Sequence, residues 1–220
     1  MKRVFLTGAS RGIGAAIRNA LQVAGYSIVS PSRSELDLSD RKSVESYLNH
    51  IQPQADILIN NAGENIISSI EEIDLTVWDR LLQINLTSAL QFTRYFAPQM
   101  KARGFGRIIN ISSAYSQKAR EGRAMYSCAK AALDALTRTT AVEYSKWGVC
   151  VNSVCPGFVE TELTKRNNGP EQIKILTGRI PMGRLASPEE IAELVLFLAS
   201  EANTYLSGQS IQIDGAFSIS

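Results

Sequence analysis

The stretch Val4-Phe5-Leu6-Thr7-Gly8-Ala9-Ser10-Arg11-Gly12-Ile13-Gly14 constrains this chain more than any other. Val4-Phe5-Leu6 is a short apolar run and reads as a buried strand. Beyond it, the apolar residues Ile13, Ile17, Ala20, Leu21 and Ala24 follow helical spacing, and Gly25 stops the helix. The order is strand, glycine turn, helix. The turn has the spacing G-x3-G-x-G rather than G-x-G-x-x-G, but the physics is similar. Glycines allow a tight turn and a close approach of backbone to a pyrophosphate, and the helix N-terminus favours its negative charge. The competing reading is a glycine-rich surface loop, which the strand before and the helix after disfavour.

Tyr26 to Ser30 reads as a second strand that ends at Pro31-Ser32-Arg33. An NAD site of this type usually has a carboxylate here for the ribose hydroxyls. Ser32 and Arg33 supply none. Arg33 can instead pair with a 2′-phosphate, with Arg11 assisting, so NADP(H) is favoured over NAD(H). Glu35 is close enough to keep the second cofactor open. Glu35-Leu36-Asp37-Leu38 follows almost at once, and Ser39 or Asp40 caps a helix through Ile51. A parallel strand needs a crossover of about a dozen residues or more, so the usual helix between strands two and three has no room. The expectation is a third strand that is very short or reached by a tight connection.

Asp56-Ile57-Leu58-Ile59 is an apolar strand running into Asn60-Asn61-Ala62-Gly63. Amides and a small residue at a strand's carboxyl end suit a ligand crevice, or an ordinary turn. Residues 75 to 102 carry a long helical pattern with Asn85 inside it. Asparagine is a poor mid-helix residue; it either bends the helix and turns its amide inward or faces water. Residues 107 to 113 form a strand ending in two serines. A nucleophilic serine would need a partner base, and the single histidine, His50, lies in another segment. Ser113 reads better as a hydrogen-bond donor to a substrate oxygen.

The helix over residues 123 to 146 carries Tyr126 and Lys130, one turn apart on one face. A nearby cation favours a phenolate over the ordinary phenol, whose pKa is about 10, and a phenol so tuned can pass a proton to or from a substrate oxygen. Taken alone, such a pair is more often a half-buried aromatic beside a solvated lysine. Val149 to Val154 is a strand, followed by the turn Cys155-Pro156-Gly157-Phe158-Val159-Glu160-Thr161. The loop-rich segment from about 162 to 186, read with one short helix, is a candidate substrate lid. Ser187-Pro188-Glu189-Glu190 starts a helix that reaches about Ser200, and Gln209 to Ile213 is a last strand.

At 220 residues, 45% hydrophobic and 20% charged, the chain reads as one domain over 1–220. A net charge of +2 points to neither nucleic acid nor a membrane surface as partner. No apolar run reaches the ~18 residues of a membrane span, and the start is too short in its apolar part for a signal peptide. Cys128, Cys150 and Cys155 are odd in number and lack Cys-x-x-Cys spacing. They read as reduced thiols of a cytoplasmic protein, with no metal site expected.

These motifs together resemble the short-chain dehydrogenase/reductase family over essentially the whole length, with a likeness to 3-ketoacyl-carrier-protein reductases. The residues that carry the resemblance are Thr7-Gly8-x3-Gly12-x-Gly14, Asn60-Asn61-Ala62-Gly63, the set Asn85, Ser113, Tyr126 and Lys130, and Pro156-Gly157 through Thr161. The resemblance implies a single Rossmann-like, doubly wound parallel sheet with helices on both faces, shortened here between strands 2 and 3. It implies hydride transfer between NADP(H) and a carbonyl or secondary alcohol. Tyr126 would be general acid or base. Lys130 would hold the ribose hydroxyls and lower the tyrosine pKa, Ser113 would polarise the carbonyl, and Asn85 would hold a water in a proton relay. Gly8, Ser10, Arg11, Gly12, Ile13 and Gly14 would cradle the cofactor, with Arg33 on its 2′-phosphate and Asp37 and Leu38 by the adenine. Asn61, Ala62 and Gly63 would line it. Pro156, Gly157, Val159 and Thr161 would cover the nicotinamide. Trp147 departs from the basic residue that ketoacyl-carrier-protein reductases often have before the equivalent of Gly148. A homodimer or homotetramer through the two long helices is also implied. Two other functions share much of this pattern, a non-catalytic NADP-sensing or scaffold protein and a sugar-nucleotide epimerase or dehydratase.

Overall fold

A computed structural model describes all 220 residues. Six parallel strands form one sheet, in the order β2-β1-β3-β4-β5-β6. In chain order the elements are β1 (Arg3–Leu6), α1 (Gly12–Val23), β2 (Ser27–Val29), α2 (Arg41–Ile51), β3 (Ile57–Asn60), α3 (Leu75–Leu82), α4 (Ser88–Arg103), β4 (Gly106–Ile111), α5 (Ala124–Tyr144), β5 (Val149–Pro156), α6 (Glu162–Asn167), α7 (Pro170–Gly178), α8 (Pro188–Ala199) and β6 (Ser210–Ile213).

The strands are continuous apolar runs because both faces of the sheet are covered, as parallel sheets require. Side chains alternate between the two faces. Val4, Leu6, Ile57, Ile59, Ile109 and Ile111 pack against α1 and α8 on one side. Phe5, Leu58 and Ile108 face the other, where Val44 and Leu48 of α2 meet Phe92, Phe96 and Met100 of α4. Phe5 stacks between Phe92 and Phe96 at centroid distances of 5.2 and 5.1 Å.

From β1 the chain runs outward to β2 and then returns, through α2, to the other side of β1. That reversal makes a topological switch point at the carboxyl ends of β1 and β3, the place where such sheets bind ligands. The glycine turn follows β1 and Asn61-Ala62-Gly63 follows β3, so both border it.

Two expectations are corrected. The strand expected between β2 and α2 is not short; it is missing. Residues between β2 and α2 form turns, and the three-residue β2 is the sheet edge. Local hydrogen bonds take the place of sheet pairing there. The Glu35 carboxylate accepts from the Ser32 backbone and hydroxyl at 2.8 and 2.7 Å, and Asp37 accepts from the Ser39 backbone and hydroxyl at 2.9 and 2.7 Å. Leu36 is drawn into the core beside Phe5 and Val44. Asp40 caps α2 by accepting from the Lys42 amide. The lid segment has two short helices, α6 and α7, rather than one. Pro170 starts the second from its first position, where a missing N–H costs nothing.

Candidate active site

Gly8 and Gly12 adopt φ of +70° and +53°, a region open to glycine. The turn is packed against its surroundings. A Cβ on Gly8 would stand 2.9 Å from the Ala62 Cα, and one on Gly12 would stand 3.2 Å from the Thr161 methyl. A Cβ on Gly14 would collide with the Gly8 carbonyl oxygen and lie 2.5 Å from Asn61 Nδ2. The Asn61 side chain donates to the carbonyls of Thr7 and Gly8 at 3.0 and 2.9 Å, while Thr7 Oγ1 accepts the amides of Asn61 and Ala62, both at 3.1 Å. Asn61 is therefore the clamp that ties the β3 loop to the glycine turn. Gly14→Ala should break this packing at a cost of about 1–3 kcal/mol, seen as a melting temperature lower by several degrees. An unchanged midpoint would show that the turn tolerates a side chain there.

The N-terminus of α1 has no side-chain cap and no acid in its first turn. By contrast α2, α3 and α8 are capped by Asp40, Asp74 and Ser187. The first amides of α1 are thus open to an anion. Ser10 and Arg11 are exposed beside them. Arg33 is exposed too, and its charge reaches Asp37. Hydrogen bonds from Ser39, then the charges of Arg33 and Arg80, hold the Asp37 carboxyl below its usual range.

Asn85 turns its amide inward, at a change in helical winding. Residues Gln83–Thr87 form one π-turn between α3 and α4, a feature common at functional sites. The Asn85 amide is buried, 2% exposed. Its Nδ2 donates to the Leu81 carbonyl at 3.0 Å and to the Glu64 carbonyl at 2.9 Å, and its Oδ1 accepts the Glu64 amide at 3.2 Å. The Leu81 carbonyl thus receives a side-chain donor where the helical winding changes. Gly63 makes the approach possible, since a Cβ there would lie 2.8 Å from Asn85 Oδ1 and 3.4 Å from Lys130 Nζ.

Lys130 is 3% exposed and donates from Nζ to the Ile111 carbonyl at 2.8 Å. Burial lowers its pKa to about 8, partly opposed by Asp134, one turn further along α5. Its Nζ stands 5.6 Å from the centroid of the Tyr126 ring. The phenol of Tyr126 is raised above its ordinary value because burial outweighs the Ser113 hydroxyl and the Arg123 charge, which both pull it down. Among cations, Arg123 acts on this phenol where Lys130 was expected to. Ser113 Oγ accepts the Tyr115 amide at 3.1 Å, which leaves its own proton free to donate. Asn85, Ser113, Tyr126 and Lys130 thus gather beyond the carboxyl ends of β3 and β4.

The segment after β5 closes the far side. Thr161 caps α6 and touches the glycine turn, and Val159 bridges to Ala186. Gly157 is tight for a structural reason, since a Cβ would meet Asp214 at 2.7 Å. Leu176 and Ile180 of the lid are buried against Tyr115, Phe158 and Phe217. Cys155 lies behind Asp134 at 3.8 Å, and burial with that carboxylate pushes its thiol up to about 12. At neutral pH it stays a thiol. Sequence reasoning missed Asp134, although its place four residues after Lys130 on one helix face was a legible signal.

The chain is similar to known proteins over nearly its whole length. The family model described as enoyl-(acyl carrier protein) reductase matches residues 29–218. Acetoacetyl-CoA reductase of Shinella zoogloeoides is 36% identical, covering 98% of this chain and 98% of that protein. The 3-oxoacyl-[acyl-carrier-protein] reductase of Vibrio cholerae is 34% identical over 97% of this chain and 96% of its own. The structure of a gluconate 5-dehydrogenase from Burkholderia cenocepacia, in complex with NADP and tartrate, superposes with a TM-score of 0.93 at 29% identity, covering 100% of this chain and 96% of that one. A further structure, described as a short-chain dehydrogenase/reductase family protein, has a TM-score of 0.90 at 32% identity, over 97% and 96% of the two chains. With its uncapped glycine turn after β1 and its buried lysine and half-buried tyrosine beyond β4, the chain belongs to the short-chain dehydrogenase/reductase family of oxidoreductases.

Proposed function

We propose that the protein is an NADP(H)-dependent oxidoreductase that interconverts a carbonyl and a secondary alcohol, with Tyr126 as the proton-transfer group. The observation that carries this reading is the convergence of Tyr126, Ser113 and buried Lys130 beside an open helix N-terminus. Bound NADPH supplies a hydride. The open amides of α1 suit its pyrophosphate. Lys130 uses one of its three N–H donors within the protein, which leaves donors for ribose hydroxyls. Ser113 donates its free proton to the substrate oxygen. Tyr126, kept protonated through the neutral range by burial, gives that oxygen its proton as negative charge develops. Asn85 has both N–H groups bound to backbone. Its remaining capacity is one lone pair on Oδ1, enough to hold the water of a proton relay.

The preference for NADP(H) rests on Arg33 and on Glu35, whose carboxylate is turned back onto Ser32. Relatives solved with NADP bound support it. Arg33→Ala should weaken NADPH binding by about tenfold, as expected of a charged hydrogen bond to phosphate, and leave NADH binding nearly unchanged. Fluorescence titration of both cofactors checks this; equal effects on both would remove Arg33 from the 2′-phosphate. The function itself is tested by NADPH consumption over a panel of ketoacyl, steroid, sugar and small diketone carbonyls. Self-association through α4 and α5 is part of the same reading. It is supported by Leu90 and Val142, exposed on those helices at 47% and 83%. Light scattering checks it.

A further inference from the structure

Two arginines in this fold are buried, and they differ in one respect. Arg107 is satisfied, donating to the carbonyls of Gly106, Gly148, Ser200 and Asn203. Arg123 is not. It is 3% exposed, its Nε is sealed from solvent with no acceptor, and no carboxylate forms an ion pair with it. It stands three residues before Tyr126, at the cap of α5. Its guanidinium faces the phenols of Tyr115 and Tyr126 and lies 5.8 Å from the Tyr115 ring centroid.

A second positive charge is next to it. Arg120 donates to Tyr115 Oη at 3.3 Å, and its charge adds to burial in pulling the Arg123 pKa down. Arg120 also lines an open cavity of about 310 Å³, together with Lys118 and Arg179 and the apolar wall of Tyr115, Leu176 and Phe217. α5 has neither a capping side chain nor an acid in its first turn. A buried charge without a partner costs several kcal/mol, and a neighbouring like charge adds to that. A structural arginine at this position would have acquired acceptors, as Arg107 did.

We infer that the carbonyl substrate carries an anionic group, a carboxylate or a phosphate, which binds Arg123 with Arg120 beside it. This rests on the reductase reading above and deepens it. Arg123 is planar and forked, and either anion fits it bidentately. When the anion docks there, the wall of Tyr115, Leu176 and Phe217 covers its carbon chain and the carbonyl is held toward Tyr126.

The test compares kcat/KM for matched pairs. One arm uses 2-, 3- and 4-oxocarboxylates against their methyl esters; the other uses dihydroxyacetone phosphate against dihydroxyacetone. The expected result is a preference of about tenfold or more for the anion in at least one pair, carried by KM, as one charge-assisted contact provides. Which arm shows it tells carboxylate from phosphate. In Arg123→Gln that preference should fall to about twofold or less, while Arg123→Lys keeps part of it. NADPH affinity checks that both variants are folded. Neutral members reduced as well as anions in every pair would overturn the inference and leave the reductase reading standing. A preference that survives Arg123→Gln would also overturn it. No reduction of any pair member by an enzyme that binds NADPH would sink both.

Discussion

Replacing Tyr126 by phenylalanine should lower kcat by about 10³-fold, within the range that a positioned general acid supplies, and leave NADPH affinity almost as it is. The hydroxyl is removed while the ring stays, packed beside Tyr115 and Phe158. Single-turnover NADPH oxidation separates the loss from binding. The phenol is held above its ordinary pKa by burial, so wild-type reduction should stay flat across neutral pH and fall only in alkali. Turnover that survives the substitution would mean that another group supplies the proton.

Lys130→Met should stabilise the protein and cripple it. At neutral pH the wild type buries an ammonium whose pKa has fallen from 10.5 to about 8. That difference amounts to about 3 kcal/mol of cost, reduced by roughly 1 kcal/mol for the hydrogen bond that methionine gives up. The variant should therefore melt several degrees higher at pH 7. The sign with pH follows from the direction of the shift. Below about pH 8 both folded and unfolded states hold the proton, and the full cost is present. Between there and the unfolded value the unfolded chain binds the extra proton, so wild-type stability gains with rising pH. The advantage of methionine should shrink toward pH 10. Activity should fall by about 10²-fold or more at every pH, with weaker NADPH binding. Thermal melts at pH 7 and pH 10 check the first part. A variant less stable at pH 7 would mean that the buried ammonium is better compensated than its single acceptor implies.

Much of this was legible from residue order. Strand, glycine turn and helix at the start, and amides after β3, marked a phosphate-binding turn and a ligand crevice, because short apolar strands and Gly/Asn turns are local signals; the doubly wound parallel sheet came from the family resemblance. Asn85 was flagged as a misfit in a helix, and the misfit became the π-turn. Other features depended on contacts that no window of sequence contains. Eleven residues from Ser30 to Asp40 were too few for a helix and a strand, but only Leu36 entering the core beside Phe5 decided that the strand would vanish. The proton affinity of Tyr126 turned chiefly on burial, which its place four residues before Lys130 does not reveal. The isolation of Arg123 shows only beside the satisfied Arg107, when every carbonyl around both is in place.

The most direct test of the central claim follows one atom. The protein is incubated with NADPH deuterated at either face of the nicotinamide C4 and with the oxocarboxylate and ester pairs, and the alcohols are analysed by mass spectrometry. The account predicts one deuterium on the new carbinol carbon, from a single face of the cofactor, and about a thousandfold slower appearance in Tyr126→Phe. Tight NADPH binding with no deuterium in any alcohol would contradict it.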